Sequence, residues 1–431
     1  MLSVARTDTF FEELRWREFS RLERQRHAYL DYTGSALYAD SQLRAHQELL
    51  ASSIFGNPHS DSSPSRLSTE VIDRARDLVL RFLGVDATTH DVVFTANTTA
   101  AIKLVAEGYP FKRDSAFVYS ADNHNSIVGI REYARRAGSR LRVLPLDDEL
   151  RLRDDALESL PGLLAFPAQS NFSGVRHPLS LVRRAKQLGY DVLLDAAAYA
   201  PGHALSLRDC PADYVALSFY KLFGYPTGLG ALVARREALA KLRRPWFAGG
   251  TVLYAAVGAD THRLRPRHEG FEDGTPNFLG IAALPAGFAL LDEVQLPRLS
   301  AHVESLTALL LDELHAMPHV ILYGPRDTHA RGGVVTFNVR GVAYTEVEAR
   351  ATKARVSVRG GCFCNPGAAE AAFGLSDVRD CLDVLGDDFT VERFAACSGS
   401  VVGAVRVSLG MANNAADVRR VVDVVRASAR G

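Results

Sequence analysis

The run VALSFYKLFGYPTGLGALV, residues 215–233, sets Lys221 at the end of an apolar stretch and follows it with a loop of Gly, Pro and Tyr. Tyr214 to Phe219 has the length and content of a buried strand, and GALVA (230–234) reads as the next one. A surface lysine has no need of such neighbours, whereas a buried one is paired, neutral or chemically used. Lys221 is therefore either a solvated loop residue or a desolvated amine with covalent work to do. On residue type alone the first reading is the ordinary one. The rest of the chain has to decide.

Upstream, short apolar runs recur from about residue 90: DVVFT (91–95), FVYS (117–120), LRVLPL (141–146), LLAFP (163–167) and DVLLD (191–195), before YVALS (214–218). Helical patterns separate most of them, and several end in small, polar or acidic residues. That alternation predicts an α/β fold, a mostly parallel seven-stranded sheet flanked by helices, with the site at the C-terminal ends of the strands. An amphipathic helix is expected near Ser68–Val85. Beyond Pro276 the texture changes: a long helix, roughly Ser300–Met317, precedes strand-like VVTFNV (334–339), ARVSV (354–358) and AVRVSL (404–409), and ADVRRVVDVVRAS (416–428) closes the chain as a helix. The expected division is an N-terminal segment (1–28) packing on the small domain, a large domain (29–290) and a smaller α+β C-terminal domain (291–431).

At 431 residues, 47% apolar and 23% charged, the chain has the composition of a globular protein of two or three domains. Fifty basic residues balance fifty acidic ones, which removes a global electrostatic argument for nucleic acid or an anionic membrane. No run approaches a membrane span, and the charged N-terminus lacks the apolar core of a signal peptide. Five cysteines, an odd number, predict a reducing, cytoplasmic setting rather than a disulfide framework.

The predicted strand ends carry the chemistry. FTANTTAAIK (94–103) is a strand, a small-residue turn and a helix, so Thr98 and Thr99 sit where backbone N–H groups and hydroxyls hold an anion such as phosphate, or merely cap the helix. His124 follows FVYS and suits stacking on a flat group or proton relay. Asn171 lies just after the next strand. Asp195 ends an apolar strand and needs a partner, either the following helix or a protonated ring nitrogen. An Asp and a Lys on successive strand ends, behind a phosphate-type turn and a His, fit pyridoxal 5'-phosphate, with Lys221 as the Schiff-base lysine and Asp195 on the pyridine nitrogen. In RGGCFCNPG (359–367) no second Cys/His pair completes a metal site, so a thiol in a mobile loop reads as a nucleophile or sulfur carrier.

These residues, in this order, resemble class V, fold-type I pyridoxal-phosphate enzymes, above all cysteine desulfurases. The likeness runs over nearly the whole chain, including YLDYTGSAL (29–37) and FGNPHS (55–60). It implies Lys221 as the cofactor lysine, Ser218, Thr98 and Thr99 at the phosphate, and His124 stacked on the ring. It also implies Asn171 beside cofactor and substrate, Asp195 at the ring nitrogen, and Tyr220 in the cofactor site. FEDGTPNFLG (271–280) is similar to the segment whose threonine, here Thr275, reaches the phosphate of a neighbouring subunit, implying a homodimer. RGGCFCNPGA resembles the Arg-Thr-Gly-x-x-Cys loop, which implies Arg359 on the substrate carboxylate and Cys364, rather than Cys362, as the persulfide cysteine. Within that branch SFYKLFGYPTGLGAL, LLDAAAYA, DNHNSIVG and GCFCN are most similar to the desulfurase-like N-terminal domain of molybdenum cofactor sulfurases. Ala198 stands where ordinary desulfurases have Gln, and Tyr220 where they have His; both changes occur in the sulfurase subgroup. Within its 431 residues the resemblance covers the desulfurase-like part, without the domain that binds the molybdenum cofactor.

The implied activity is removal of sulfur from L-cysteine as a persulfide on Cys364, with alanine released and a protein or small molecule accepting the sulfur. The alternatives are a lyase or carbon–carbon bond-forming enzyme of the same fold acting on another amino acid, and a non-catalytic partner that keeps the fold.

Overall fold

A computed structural model describes residues 9–58, 60–375 and 378–429. The seven apolar runs form one sheet of β1 (His90–Thr95), β2 (Ala116–Ser120), β3 (Arg140–Leu144), β4 (Gly162–Pro167), β5 (Tyr190–Asp195), β6 (Tyr214–Ser218) and β7 (Gly230–Arg235). Their spatial order is β1-β7-β6-β5-β4-β2-β3, and only β7 runs against its neighbours. Both faces are covered, which is why the strands read as continuous apolar runs. Alternate residues enter different cores: Phe166, Leu194 and Leu217 on one face, Ala165, Leu193 and Ala216 on the other.

This order decides where the chemistry goes. The strands β1, β2, β4, β5 and β6 all point the same way, so the residues following Thr95, Ser120, Pro167, Asp195 and Ser218 arrive at one sheet edge. The strand ends at Ser218 rather than Phe219, and Phe219–Phe223 is a short helix, so Lys221 lies on a helical turn and not in a loop. Gly224 ends that turn at φ 81°, where a Cβ would lie 2.2 Å from the backbone nitrogen of Tyr38. Only glycine fits there.

The second sheet comprises β8 (Val320–Tyr323), β9 (Val334–Val339), β10 (Arg359–Gly361) and β11 (Ala404–Ser408) in the order β8-β9-β11-β10. Helices Leu296–His315 and Ala415–Ser428 bury Leu310, Leu314, Val421 and Val425 against it. The expected strand ARVSV is broken: Val356–Ser357 pairs in parallel with Ala28–Tyr29, and only Arg359–Gly361 joins β11. Arg355, at φ 56°, turns the chain ahead of the first of these pieces. The N-terminal helix Thr9–Glu18 packs Phe11 and Leu14 into the large-domain core and is tied to the closing helix by an ion pair. Buried Arg15 donates to Asp417 at 2.6 Å, and Phe11 stacks on His302 while joining the large-domain core.

The cysteine count gave no sign of one bridge. Cys381 and Cys397 are joined by a disulfide between helices Arg379–Leu385 and Val391–Ser398, leaving Cys210, Cys362 and Cys364 free. The odd count obscured it because parity says nothing about a single bridge. The two helices pack on each other with Leu382, Val384 and Phe389 exposed, so their shared core is small. Closing a loop across 16 residues restricts the unfolded chain by about 3 kcal/mol. Serine at both positions is expected to speed amide exchange over residues 379–398 while the rest of the protein keeps its exchange pattern.

Candidate active site

A cavity of about 340 Å³ opens at the shared strand edge. Thr98 and Thr99 line it from the turn after β1, His124 from the turn after β2, and Asn171 from the loop after β4. Asp195 and Ser218, at the ends of β5 and β6, and Tyr220 and Lys221, on the helical turn after β6, complete the set. The volume is that of a small-molecule site.

Burial lowers the pKa of the Lys221 amine, and the nearby guanidinium groups of Arg406 and Arg359 act in the same direction against Asp195 and Asp31. The site thus favours a neutral amine, the form that condenses with carbonyls and accepts protons. Asp195 is buried; one carboxylate oxygen accepts the Ala197 N–H at 2.9 Å, and its side chain faces the cavity. His124 is half-buried, and desolvation pushes its pKa down, with Lys221 adding to the effect and Asp195 opposing it. Its Nδ1 accepts the Ser126 N–H at 3.2 Å and lies 2.9 Å from the Ser126 hydroxyl. The neutral ring therefore carries its proton on Nε2.

The helix Thr98–Gly108 is capped by Asn97, whose side chain accepts the Ala100 N–H. Capping thus does not consume the two threonine hydroxyls. Thr98 Oγ1 lies 2.6 Å from Ser218 Oγ, which also accepts the Thr98 N–H at 2.9 Å, and Thr99 Oγ1 lies 2.8 Å from Ser126 Oγ. Four hydroxyls and a helix N-terminus at one end of the cavity are the donor set of a phosphate site. With Asp195, His124 and Lys221 beyond it, the lining fits a phosphorylated, aldehyde-bearing heteroaromatic cofactor.

Two predicted residues lie elsewhere. Thr275 does not line this cavity; its hydroxyl accepts from Asn57 on a neighbouring surface recess. Arg359 is held by Asp31, with Nε at 3.0 Å and Nη2 at 2.5 Å from one carboxylate oxygen, and it too stands outside the cavity lining. Asp31 also binds Arg406 at 3.0 Å. Arg406 is buried in β11, donates to the Asn171 carbonyl at 2.8 Å, and has an Nε without a hydrogen-bond partner among the described residues. Residue-type reasoning missed both Asp31 and Arg406. Their signal was present: a charge in the middle of each of two apolar runs, YLDY and AVRVSL, which burial permits only when paired. Gln169 and Ser126, which also line the cavity, carried no such signal.

The cysteine loop is not the free segment its composition suggested. Asn171 Nδ2 donates to the Phe363 carbonyl at 2.8 Å, and the Asn125 N–H donates to the Cys364 carbonyl at 2.8 Å. Cys364 is exposed, whereas Cys362 is half-buried and burial raises its thiol pKa.

Residues 28–421 match the family described as aminotransferase class V. The chain belongs to that family. This class V chain is 34% identical to a molybdenum cofactor sulfurase of Arabidopsis thaliana, over 97% of its own length and 58% of the plant protein. It is 37% identical to molybdenum cofactor sulfurase 3 of Aedes aegypti, over 95% of its own length and 57% of that protein. It therefore spans little more than half the length of these relatives. Among solved structures, the apo cysteine desulfurase of Thermococcus onnurineus NA1 superposes with a TM-score of 0.82 at 27% identity, covering 100% of both chains. The Escherichia coli cysteine desulfurase CsdA shares the fold at 22% identity, with a TM-score of 0.81 over 97% of this chain. The class V fold, with its mostly parallel large sheet, is as the sequence reading expected.

Proposed function

We propose that the chain binds pyridoxal 5'-phosphate and removes sulfur from L-cysteine, leaving it on Cys364 as a persulfide and releasing alanine. One observation carries this reading: a depressed lysine amine, a cavity-facing buried aspartate and a hydroxyl-lined helix N-terminus share one cavity, and a two-cysteine loop is hydrogen-bonded to its rim. The names of the relatives and of the Thermococcus structure agree with it.

Lys221 would hold the cofactor aldehyde and Asp195 its ring nitrogen. Thr98, Thr99 and Ser218 would hold its phosphate, with His124 against the ring. When bound, the cofactor supplies an electron sink that acidifies the substrate Cα proton. Once displaced by the substrate amine, Lys221 would be placed to accept that proton, its depressed pKa favouring the free amine, and His124, with hydrogen on Nε2, to pass one on. Arg359 would orient the substrate carboxylate by exchanging its Asp31 partner for it, while buried Arg406 keeps its own hold on Asp31. The Cys364 thiolate would take the substrate sulfur: a sulfur–sulfur bond forms, the carbon–sulfur bond breaks with its electron pair left on the carbon side, and a proton passed on by Lys221 or His124 completes the methyl group of alanine.

The reading includes a homodimer. It is supported by Thr275 lying outside its own protomer's cavity and by the apolar exposure of the Val252–Leu264 hairpin, where Leu253, Tyr254 and Val257 face solvent. The sulfur acceptor is a nucleophile, such as a thiol on a protein or small molecule, that attacks the outer sulfur of the persulfide on exposed Cys364 and releases the Cys364 thiolate.

The test is to incubate the cofactor-loaded protein with a panel of amino acids, following alanine, sulfide and the visible spectrum together. L-cysteine is expected to give alanine and protein-bound sulfur in equal amounts. Turnover of another amino acid without protein-bound sulfur would overturn the proposal in favour of elimination or carbon–carbon bond chemistry.

A further inference from the structure

Asp122 is fully buried, yet no step assigned above uses it. One of its carboxylate oxygens accepts from the Ser170 hydroxyl at 2.9 Å and from Asn365 Nδ2 at 2.6 Å; the other accepts from His177 Nε2 at 2.8 Å. Three donors converging on one carboxylate, with no solvent, make a costly group to bury and a firm anchor once satisfied. Asn365 immediately follows Cys364 and is itself fully buried. Its Nδ2 also reaches Asn171 Oδ1 at 2.9 Å, its Oδ1 accepts the Ala368 N–H at the start of helix Pro366–Phe373, and its own N–H donates to the Cys362 carbonyl at 3.0 Å.

The loop pays a conformational cost to reach this arrangement. Phe363 and Cys364 both adopt left-handed backbone, at φ 57° and 56°, although neither is glycine. Consecutive residues of this kind persist only where their surroundings hold them. The surroundings here are specific. Phe363 is buried against Phe172 and under the Arg406 guanidinium, 4.7 Å from its ring. Gly367 lies so close to Ala121, the residue before Asp122, that a Cβ would stand 2.3 Å from its carbonyl oxygen. The strand-end turn that carries His124 and the loop that carries Cys364 are thus bolted together, with Asn171 touching both the loop and the cavity.

We propose that Asp122 and Asn365 form a buried latch that holds the Cys364 loop against the rim of the site, both acting as positioning residues for sulfur transfer. The latch rests on the function proposed above for its purpose, but not for its existence. The working thiol is delivered by a pinned, strained backbone rather than by a swinging loop.

Asp122→Asn is the mild test. The Ser170 hydroxyl can rotate and His177 can change tautomer, so the amide finds partners while the charge-assisted bonds are lost. Asn365→Ala removes the other half of the latch without touching the large-domain core. In both variants, amide exchange is expected to rise about tenfold over residues 361–367 and at Asn125, whose N–H is covered by the Cys364 carbonyl. Cofactor absorbance and affinity are expected to stay as in the parent protein, while persulfide formation from L-cysteine falls roughly 10- to 100-fold, the effect of a small misplacement of a reacting atom. Unchanged loop exchange would overturn the latch. So would loss of the cofactor band in step with the persulfide, which would make Asp122 a residue of the fold, or a full persulfide rate despite a loosened loop. If the parent protein makes no persulfide, the proposed function fails, and the exchange measurement alone still decides whether the latch exists.

Discussion

Replacing Lys221 with methionine is expected to replace the imine absorbance of the bound cofactor by that of its free aldehyde and to lower amino-acid turnover by about 10⁴-fold or more. Proton transfer by a placed side chain is by itself worth about 10²–10⁴, and the same amine also carries the covalent attachment. Methionine keeps the length of the side chain and removes the nitrogen, so the loss reads the amine rather than the packing around it. Arginine is expected to fail equally, because a guanidinium does not give up its proton at working pH. Substantial turnover by either variant would remove Lys221 from the centre of the chemistry.

The same substitution has an opposite effect on stability, and its sign follows from the depressed pKa. In the unfolded chain Lys221 holds its proton up to its ordinary value of 10.5; in the folded protein burial makes it release the proton at lower pH. Above 10.5 both states are neutral and folding carries no penalty. As pH falls below 10.5 the unfolded state gains a proton that the folded state resists, and the penalty grows until pH drops under the folded value. Lys221→Met is therefore expected to raise the melting temperature of the cofactor-free protein at neutral pH, with the gain shrinking as pH approaches 10.5. A melting temperature that is lower at neutral pH and insensitive to alkali would mean that the amine is not desolvated.

Much of this site is legible along the chain because a parallel sheet converts sequence order into spatial convergence. His124, Asn171, Asp195 and Lys221 each follow an apolar run, and runs pointing the same way must end together. What sequence reading lost was set by contacts across domains. Arg359 belongs to the cysteine loop by sequence, but Asp31, from 328 residues earlier, holds its guanidinium. Arg406 reads as an interruption of a strand until Asp31 and the Asn171 carbonyl are seen beside it. The loop's Gly, Asn and Pro suggested mobility, since composition reports backbone freedom and not what binds the backbone. Asn365 and Asp122, 243 residues apart, decide the matter through one 2.6 Å bond. The Cys381–Cys397 bridge was hidden for a similar reason: its geometry comes from two helices packing, which no count of cysteines contains.

The two loop thiols are expected to separate cleanly. Cys364→Ala should lose protein-bound sulfur and alanine formation by roughly 10³-fold or more, as expected for removal of a nucleophile, while Cys362→Ala should keep a rate close to the parent. Both should retain the cofactor spectrum, because neither cysteine lines the cavity that holds Lys221. The physical difference is the environment of each sulfur. Cys362 is half-buried, and desolvation, with Cys364 adding to it, raises its thiol pKa and starves it of thiolate. Cys364 is exposed, so the substrate sulfur and outside reagents can reach it. Alanine at 364 keeps a Cβ on the left-handed backbone, so the loop is not relieved of strain and the comparison isolates the sulfur. Alkylation at neutral pH is expected to label Cys364 well ahead of Cys362, and prior incubation with L-cysteine should block that label. Undiminished alanine release by Cys364→Ala would mean that the substrate sulfur leaves without a protein thiol, and loss of activity in Cys362→Ala alone would move the persulfide two residues back along the loop.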